Sequence, residues 1–502
     1  MTRPPPQREL ERSEIFFLAA VLAIVIARAW IMPMFSSLWL DEWANFHIGS
    51  EGPARIDALA RLYISDQRFI AFAGWLGTQV AGVNEFGLRL YSVLAGGWCL
   101  FVIYKLGRRW FGARAALLSV VLFVCLHAVY QQAANARAYM FGLSFFLTLL
   151  WSVELWLENR RWYWLLLGAA SGYFMVCAHL LQVLGLGLAG LRILWAVRPW
   201  THWWALLLMI LPGMAETAYQ LVNLPLANLV HAAQPTPIDF LSALFPQPAT
   251  GLLLLVLAAL LGLRFTAWGE RDPAEMPRMR YFAAAVWILP VLAMFVFSRL
   301  KGTSVFIPRY YFIAFPGAAW LLGLVLARIE PSRWRAVSVF LIAAASTAVL
   351  TGTRPYTSAN HENWRDAFAT IDRLRSSPAE PVMFYSGALE TDFPTWQETY
   401  KPGGMCLAGM VFYHFDANIV GLPYTARPDR IAELRPRLES ILASNRRVWL
   451  LSRSPKGSTL DWLDAYLAVR GWEPRSVGSF DPIRVDVFER GPSANQPSGP
   501  SP

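Results

Sequence analysis

The chain has 502 residues, of which 56 % are hydrophobic and 16 % are charged, against about 25 % charged residues in an ordinary soluble domain. This composition excludes a set of soluble domains and a disordered chain, and four cysteines give no disulfide framework. The formal charge of +10 fits nucleic-acid binding or a membrane protein, and the position of the positive residues relative to the apolar runs decides between them.

Apolar runs long enough to cross a bilayer, about 17 to 25 residues, occur about eleven times along the chain. They lie at 15–35, 88–104, 115–130, 138–157, 162–178, 180–197, 203–223, 249–267, 281–298, 310–327 and 336–352. Loops on the side of the N-terminus hold more than twice as many Lys and Arg residues as the opposite loops. By the positive-inside rule the N-terminus is cytosolic and everything after residue 352 is extracytoplasmic. The basic excess is thus a topology signal, and we expect no nucleic-acid partner.

The first run has an alternative interpretation as a cleaved signal peptide, because Ala27-Arg28-Ala29 has the form of a cleavage site. The apolar character resumes from Trp30 to Leu40, which favours an uncleaved anchor. The sequence therefore predicts a multi-pass protein of the cytoplasmic membrane.

Two regions outside the runs are long enough to form structure of their own. The first external loop, 36–87, contains amphipathic stretches at 54–63 and 70–80 that could lie in the interface. After residue 352 the periodicity becomes that of a soluble α/β domain, with helices at 363–375, 430–443 and 460–470 and strands at 381–385, 448–452 and 483–488. We predict a membrane module over 1–352, an extracytoplasmic α/β domain over 353–490, and a disordered tail over 491–502.

An acidic pair, Asp41-Glu42, stands where the first run leaves the membrane. Two carboxylates near a low-dielectric boundary are costly to desolvate unless a cation pairs with them or one of them serves as a base. A helix cap is the structural alternative, because carboxylates are favourable at a helix N-terminus. Glu216, inside a predicted span, is a second candidate, with a hydrogen bond to a neighbouring helix as its alternative.

Several cationic or titratable residues fall on the predicted outer side. Arg137 lies in the turn between the third and fourth runs, Lys301 and Arg309 flank the turn before the tenth, and His179 separates the fifth and sixth. A guanidinium group suits a phosphate, although snorkelling to lipid headgroups also explains an interfacial arginine. His179 could bind a substrate group or a metal, or be merely interfacial. His47, His127 and His231 show no ligand spacing, so the need for a divalent metal stays open.

Four segments together resemble a known family. They are RAWIMPMFSSLWLDEW at 28–43, GVNEFGLRLYSVLAG at 82–96, ANARAYMF at 134–141 and PRYYFIAFPG at 308–317. They are similar to motifs of the bacterial GT-C membrane glycosyltransferases, a group like glycosyltransferase family 39 that is related to protein O-mannosyltransferases and the lipid A aminoarabinose transferase. Members also end in an external α/β domain that often opens with a Trp-Arg pair, as at Trp364-Arg365. The sequence departs from the family at 66–70, which lacks a His-Pro-Pro-Leu run, and at Asn135, where an acidic residue is common.

The resemblance implies a mainly α, polytopic enzyme that transfers a sugar from a polyprenyl-phosphate donor to a hydroxyl of an envelope lipid, glycan or protein, with inversion. It implies Asp41 as the general base and Glu42 as a residue that orients the substrate. Arg137 and Arg309, supported by Lys301, are then the residues that stabilise the leaving phosphate, and His179 is a further substrate ligand.

Two other classes of function stay open at this point. A transporter or flippase requires ionisable residues near the middle of the bilayer and repeated halves, whereas these candidates gather on one side and no internal repeat is evident. A non-catalytic envelope assembly protein requires only the fold. The sugar and the acceptor are not specified by the sequence.

Overall fold

The structure is a computed structural model that describes residues 11–60, 68–196, 203–223, 233–244, 276–301, 304–348, 362–392, 395–454 and 456–490. The chain forms two compact units, and each of them combines segments that are distant in sequence. The first unit contains residues 1–35, 51–82 and 86–358, and the second contains 36–50, 83–85 and 359–502. The predicted tail at 491–502 lies outside the described residues.

The described part of the first unit is built from helices. After α1 (Arg12–Ile26) the chain continues through a π-helical turn (Ala27–Ile31) and a 3₁₀ turn (Met32–Phe35). The following helices are α3 (Pro53–Ala60), α4 (Arg68–Ala81), α5 (Glu85–Phe111), α6 (Ala113–Cys125), α7 (His127–Ala133), α8 (Ala138–Asn159), α9 (Trp162–Ala178), α10 (Leu184–Ala196), α11 (Trp203–Asn223), α12 (Pro237–Leu244), α13 (Met276–Lys301), α14 (Phe315–Leu326) and α15 (Ser332–Ala348).

Five of the described helical segments are long and apolar enough to cross a membrane: Arg12–Phe35, Glu85–Phe111, Ala138–Asn159, Trp203–Asn223 and Arg278–Lys301. The helices α6 and α7 together make a sixth if they are counted as one span bent by 71°. Three further predicted spans coincide with apolar helices of 10–17 residues, Trp162–Ala178, Leu180–Ala196 and Phe312–Leu326. The structure thus confirms an apolar helical protein. The full count of eleven stays a prediction, because 249–267 and the end of 336–352 lie outside the described residues.

Close packing between apolar helices depends on small residues. A Cβ atom on Gly317, in α14, would lie 2.5 Å from the carbonyl oxygen of Ala283 in α13. These two helices therefore approach each other at a distance that only glycine permits.

Buried ion pairs join helices that are far apart in sequence. Arg335 on α15 donates to both carboxylate oxygens of Glu14 on α1, at 2.5 and 2.9 Å. Glu154 on α8 accepts from Arg192 on α10 at 2.5 Å and pairs with Arg109 on α5 at 3.0 Å. Removal of Arg335 leaves the buried Glu14 carboxylate uncompensated, at a cost of about 3 to 5 kcal/mol.

The second unit contains a five-stranded sheet with the order β2-β1-β3-β5-β4. Its strands are β1 (Pro381–Tyr385), β2 (Asn418–Gly421), β3 (Arg447–Ser452), β4 (Trp472–Phe480) and β5 (Ile483–Arg490). β1 pairs in parallel with β2 and β3, and β5 pairs antiparallel with β3 and β4. The helices of this unit are α2 (Leu40–Ser50), α16 (Trp364–Leu374), α17 (Ala408–Phe412), α18 (Pro428–Ser444) and α19 (Ser458–Ala468).

All six elements predicted after residue 352 are present, with ends within two residues of the predicted ones. Gly471, with φ of 73°, follows the last helix in the left-handed conformation that glycine favours. Two strands were not predicted. β2 has only four residues, and β4 is an edge strand that carries Pro474 and mostly exposed side chains, so neither has the alternating pattern of a half-buried strand.

The first external loop does not behave as one segment. Residues 51–82 belong to the first unit and form α3 and α4 close to the two predicted amphipathic stretches, whereas 36–50, including α2, belong to the second unit. The acidic pair is therefore part of the same compact unit as the C-terminal sheet. The predicted division into 1–352 and 353–490 stays a prediction, to which the structure adds the grouping of 36–50 with 359–502.

Candidate functional site

A cationic cluster in the first unit contains three of the predicted site residues. Arg137 is the N-cap of the 22-residue helix α8, in extended conformation. The first backbone N–H groups of a helix carry a partial positive charge, and Arg137 adds a full charge at the same place. Arg309 lies in the turn before α14. The two guanidinium groups are close enough to His179 that both depress its pKa.

His179 ends helix α9 and begins the next turn, outside the helix itself. Burial, followed by the charges of Arg137 and Arg309, lowers the pKa of His179 to about 3, so the imidazole is neutral at physiological pH. Its Nδ1 accepts a hydrogen bond from the backbone N–H of Leu181 at 3.3 Å. The proton of the neutral ring is therefore on Nε2, which can act as a hydrogen-bond donor.

Two tyrosines complete the cluster. The ring of His179 lies 5.2 Å from the ring of Tyr139 and 5.3 Å from that of Tyr310. The Arg309 guanidinium lies 5.5 Å from the centroid of the Tyr310 ring, within the range of a cation–π contact. Two cations, a neutral N–H donor and a helix N-terminus together make a group that can bind an anion such as a phosphate.

Lys301, which the sequence also assigned to phosphate binding, is the exposed last residue of α13. Residues 302 and 303, which connect it to the segment of Arg309, lie outside the described residues. Its assignment to the cluster therefore stays a prediction.

The acidic pair begins helix α2 in the second unit. Asp41 and Glu42 occupy the first turn of this helix, and Asp41 is partly exposed whereas Glu42 is fully buried. The Glu42 carboxylate accepts a hydrogen bond from the backbone N–H of Trp39 at 3.2 Å. This is the return bond of a capping box, so Glu42 stabilises the start of the helix. Asp41 is the less buried member of the pair.

Glu216 is buried in α11, and its Oε1 accepts a hydrogen bond from Gln220 at 3.0 Å. The same amide group of Gln220 donates to the carbonyl of Val176 on α9 at 3.3 Å. The link to the neighbouring helix therefore runs through Gln220, and Glu216 supports it. Among the described residues, no group of three or more His, Cys, Asp or Glu side chains could hold a metal ion.

Comparisons with known proteins show which sequences the chain resembles. The model of the family described as dolichyl-phosphate-mannose-protein mannosyltransferase matches residues 69–218. Two proteins of Pseudomonas aeruginosa, strains UCBPP-PA14 and LESB58, are each 29 % identical over 50 % of this chain and 48 % of their own length. Both are named undecaprenyl phosphate-alpha-4-amino-4-deoxy-L-arabinose arabinosyl transferase. The chain thus spans about half the length of the curated relatives it matches.

Solved structures show the same fold over nearly the whole chain. The crystal structure of ArnT from Cupriavidus metallidurans bound to undecaprenyl phosphate has a TM-score of 0.57 at 14 % identity, and covers 97 % of this chain and 100 % of that one. Its apo form has a TM-score of 0.58 at 15 % identity, with coverages of 95 % and 98 %. The mycobacterial arabinofuranosyltransferase AftD has a TM-score of 0.50 at 15 % identity, with coverages of 97 % and 40 %.

The chain is thus similar in sequence, over part of its length, to membrane glycosyltransferases, and it shares their fold over nearly all of its length. The resemblance inferred from the four sequence segments is confirmed. The matched region, 69–218, contains Arg137 and His179 but neither Asp41 nor Arg309.

Sequence reasoning missed four residues that surround the candidates. Tyr139 and Tyr310 stand inside the segments ANARAYMF and PRYYFIAFPG, so the resemblance pointed to their neighbourhood without giving them a role. Glu362, which accepts from the first residue of the helix of Asp41, and Arg453, which donates to Glu362, gave no sequence signal because they are more than 300 residues from that helix.

Proposed function

We propose that this protein is a membrane glycosyltransferase that moves a sugar from a polyprenyl-phosphate donor to a hydroxyl of an envelope lipid, glycan or protein. The grouping of Arg137, His179 and Arg309 carries the proposal, since it supplies the charge and donors that a lipid-linked phosphate requires. The relatives support it, because the C. metallidurans protein was crystallised with undecaprenyl phosphate and the P. aeruginosa proteins are named for transfer from that lipid.

The donor half of the reaction needs stabilisation of charge. When the bond between the anomeric carbon and the phosphate oxygen breaks, the electron pair stays on the phosphate, which leaves as an anion. Arg137 and Arg309 stabilise this charge as guanidinium groups, and His179 donates its Nε2–H without adding a charge of its own. Preorganised donors of this kind are worth about 10² to 10³ in rate each.

The acceptor half needs a base. A sugar or lipid hydroxyl is a weak nucleophile, and its oxygen attacks the anomeric carbon as its proton passes to a carboxylate. We assign this role to Asp41. A positioned general base contributes a factor of about 10² to 10⁴ in rate. Glu42 holds the start of the helix that carries Asp41. A single displacement of this type inverts the anomeric configuration.

The charge distribution of the loops places this chemistry on the outer face of the cytoplasmic membrane. In this topology the N-terminus is cytosolic, about eleven helices cross the bilayer, and the C-terminal α/β domain is extracytoplasmic. The donor lipid and the bilayer are the partners, together with an acceptor in the envelope.

The experiment that tests the proposal is a transfer assay on the full chain in detergent, with a panel of undecaprenyl-phosphate-linked sugars and envelope lipids as acceptors. We expect a glycosylated product of inverted configuration, and we expect Asp41→Asn to lower turnover at least 100-fold while undecaprenyl phosphate still binds. Asp57→Asn is the matched control, because Asp57 is an exposed carboxylate paired with Arg68 in the first unit. Normal turnover of Asp41→Asn removes the base from the scheme, and uptake of the lipid by reconstituted vesicles without transfer favours a flippase.

A further inference from the structure

The N-terminus of α2, one residue before Asp41, is held by a carboxylate from the other end of the chain. The backbone N–H of Leu40 donates to Oε2 of Glu362 at 2.9 Å, across 322 positions in sequence. The N–H of Trp39 donates to Glu42. The first N–H groups of a helix have no partner within the helix. Both of these bonds therefore supply an acceptor to a buried N–H group that would otherwise lack one.

Glu362 is itself fixed by two further donors. Its Oε1 accepts from Nε of Arg453 at 2.6 Å, and its Oε2 also accepts from Nε1 of Trp364 at 2.7 Å. Only 4 % of the residue is exposed. Burial raises the pKa of Glu362, and the Arg453 guanidinium and the hydrogen bonds from Trp364 and Leu40 oppose that rise. With both oxygens engaged, the carboxylate has a single orientation.

The residues around Asp41 are tied to the same unit by further contacts. The N–H of Leu38 donates to the Tyr413 hydroxyl at 2.7 Å. The buried ring of Trp43 lies 4.7 Å from that of Trp364. A Cβ atom on Gly409 would lie 2.0 Å from the Trp43 ring, so only glycine leaves room for it. Asp41 is therefore flanked on both sides by residues that the C-terminal part of the chain holds in place.

The sheet explains why the anchor is located there. Arg453 directly follows β3, and its N–H donates to the carbonyl of Tyr385, the last residue of β1, at 3.0 Å. β2 and β3 lie on opposite sides of β1, so the strand order reverses at β1. The carboxyl ends of β1 and β3 therefore lie at a topological switch point. In open α/β sheets this edge is where ligands bind. Here its Arg453 side chain binds Glu362, which in turn binds α2.

We propose that Glu362, oriented by Arg453, is a positioning residue for transfer: it sets the place of Asp41 by holding the first turn of α2. This inference rests on the proposed function, because it assumes that Asp41 is the base. It assigns a positioning role in the reaction to Glu362, the first residue of the Glu-Asn-Trp-Arg segment that opens the α/β domain.

Hydrogen exchange measured by mass spectrometry on the full chain tests the anchor without any substrate. In Glu362→Gln, which keeps the shape of the side chain but loses its charge, we expect exchange over residues 38–46 to be about tenfold faster, with 428–444 unchanged. Glu380→Gln is the matched control, because Glu380 accepts from Trp449 Nε1 at 2.7 Å in the same unit. Unchanged exchange in Glu362→Gln, or an equal rise in the control, overturns the inference.

The transfer assay then tests the consequence for catalysis. We expect Glu362→Gln and Arg453→Lys to lower kcat about 10- to 100-fold, as a displacement of about 1 Å does, with the donor KM within about twofold of wild type. In the Asp41→Asn background Glu362→Gln should cause no further loss, whereas general damage to the fold adds to the loss. If one of the two single variants fails to fold, the other carries the same readouts.

The two proposals fail in different ways. Absence of glycosyl transfer by the wild-type chain with every donor contradicts the proposed function and leaves the exchange result to judge the anchor. Full activity of Asp41→Asn removes Asp41 as the base and, with it, the role of Glu362 in transfer. A dead Asp41→Asn protein together with a wild-type kcat in Glu362→Gln contradicts only the role of Glu362.

Discussion

Two helix N-termini of this chain differ in the charge of the side chains around them. The start of α2, in the second unit, is covered by carboxylates of the protein, since Glu42 and Glu362 accept the N–H groups of Trp39 and Leu40. The start of α8, in the first unit, has Arg137 at its N-cap, with Arg309 close enough to act on the same histidine. The positive end of one helix is neutralised from within, and that of the other is reinforced.

The difference separates positioning from binding. A helix start neutralised by buried carboxylates is rigid and has little attraction left for an anion. A helix start that has two guanidinium groups near it carries excess positive charge, which an anionic ligand can neutralise on binding. The α2 terminus therefore suits the support of a catalytic side chain, and the α8 terminus suits the capture of a phosphate.

The largest effect is expected from making the α8 terminus resemble the α2 terminus. In Arg137→Glu a carboxylate replaces one cation and repels the phosphate, so we expect binding of undecaprenyl phosphate to weaken by more than about 100-fold. Native mass spectrometry with increasing lipid measures it. Arg161→Glu is the control, because Arg161 is also the N-cap arginine of an apolar helix, α9, but is exposed. Equal binding in Arg137→Glu and wild type would falsify the cluster as the donor site.

Arg309→Ala should have the next largest effect, because it removes one charged contact without introducing repulsion. A hydrogen bond to a charged group contributes about 1.5 to 3 kcal/mol, which corresponds to about 10- to 100-fold in the Kd of undecaprenyl phosphate. Arg161→Ala is the comparison. Since Arg161 is exposed and has no predicted role in the site, its loss should change the Kd by about threefold or less. Equal losses in the two variants indicate a general effect of net charge and argue against a built site.

Glu42→Ala tests the α2 terminus on its own. Loss of the bond to the Trp39 N–H should destabilise the helix start by about 1 kcal/mol. Faster hydrogen exchange at residues 39–43 should report it, with no change in lipid affinity. Glu51→Ala, which removes only an exposed pair with Arg55, is the control. A fall in lipid affinity in Glu42→Ala with unchanged exchange means that Glu42 acts on the substrate.

The smallest effect at neutral pH concerns His179. Its pKa is about 3 in the folded protein, against an ordinary value of 6.5. The unfolded chain therefore binds a proton below pH 6.5 that the folded chain does not bind until about pH 3. This contribution to stability is complete above pH 6.5 and is lost as the pH falls. His179→Gln should flatten the decline in Tm between pH 6.5 and 4, whereas His414→Asn, at an exposed site, should not. An unchanged slope in His179→Gln contradicts a buried neutral imidazole.

Much of the fold could be predicted because its signals are local. Apolar runs predict helices such as α5 and α8, and the change of periodicity after residue 352 predicts strands such as β1. β4 lies at the edge of the described sheet. It escaped prediction because most of its side chains are exposed or half-buried, so buried and exposed positions do not alternate along it. The bend between α6 and α7 escaped for another reason: Leu126, which adopts an extended conformation between them, is an ordinary apolar residue.

The site residues could be predicted where the membrane topology puts them on the same side of the bilayer. Arg137, His179 and Arg309 each lie where an apolar run ends on the predicted outer side, and the structure groups these three. The bond from Leu40 to Glu362 was not predictable, because a backbone N–H has no sequence signature and its acceptor is in a different part of the chain. The capping bond of Glu42 corresponds to the structural alternative, a helix cap, that the sequence left open for the acidic pair.

The bond between Leu40 and Glu362 joins a part of the chain that is synthesised early to a part that is synthesised late. A ribosome that adds about 5 to 20 residues per second makes α2 well before it reaches Glu362, and later still it makes Arg453. During that interval Glu362 is not yet available to accept the Leu40 N–H. A chain that is interrupted before Glu362, or whose last domain misfolds, therefore lacks this bond at the start of α2.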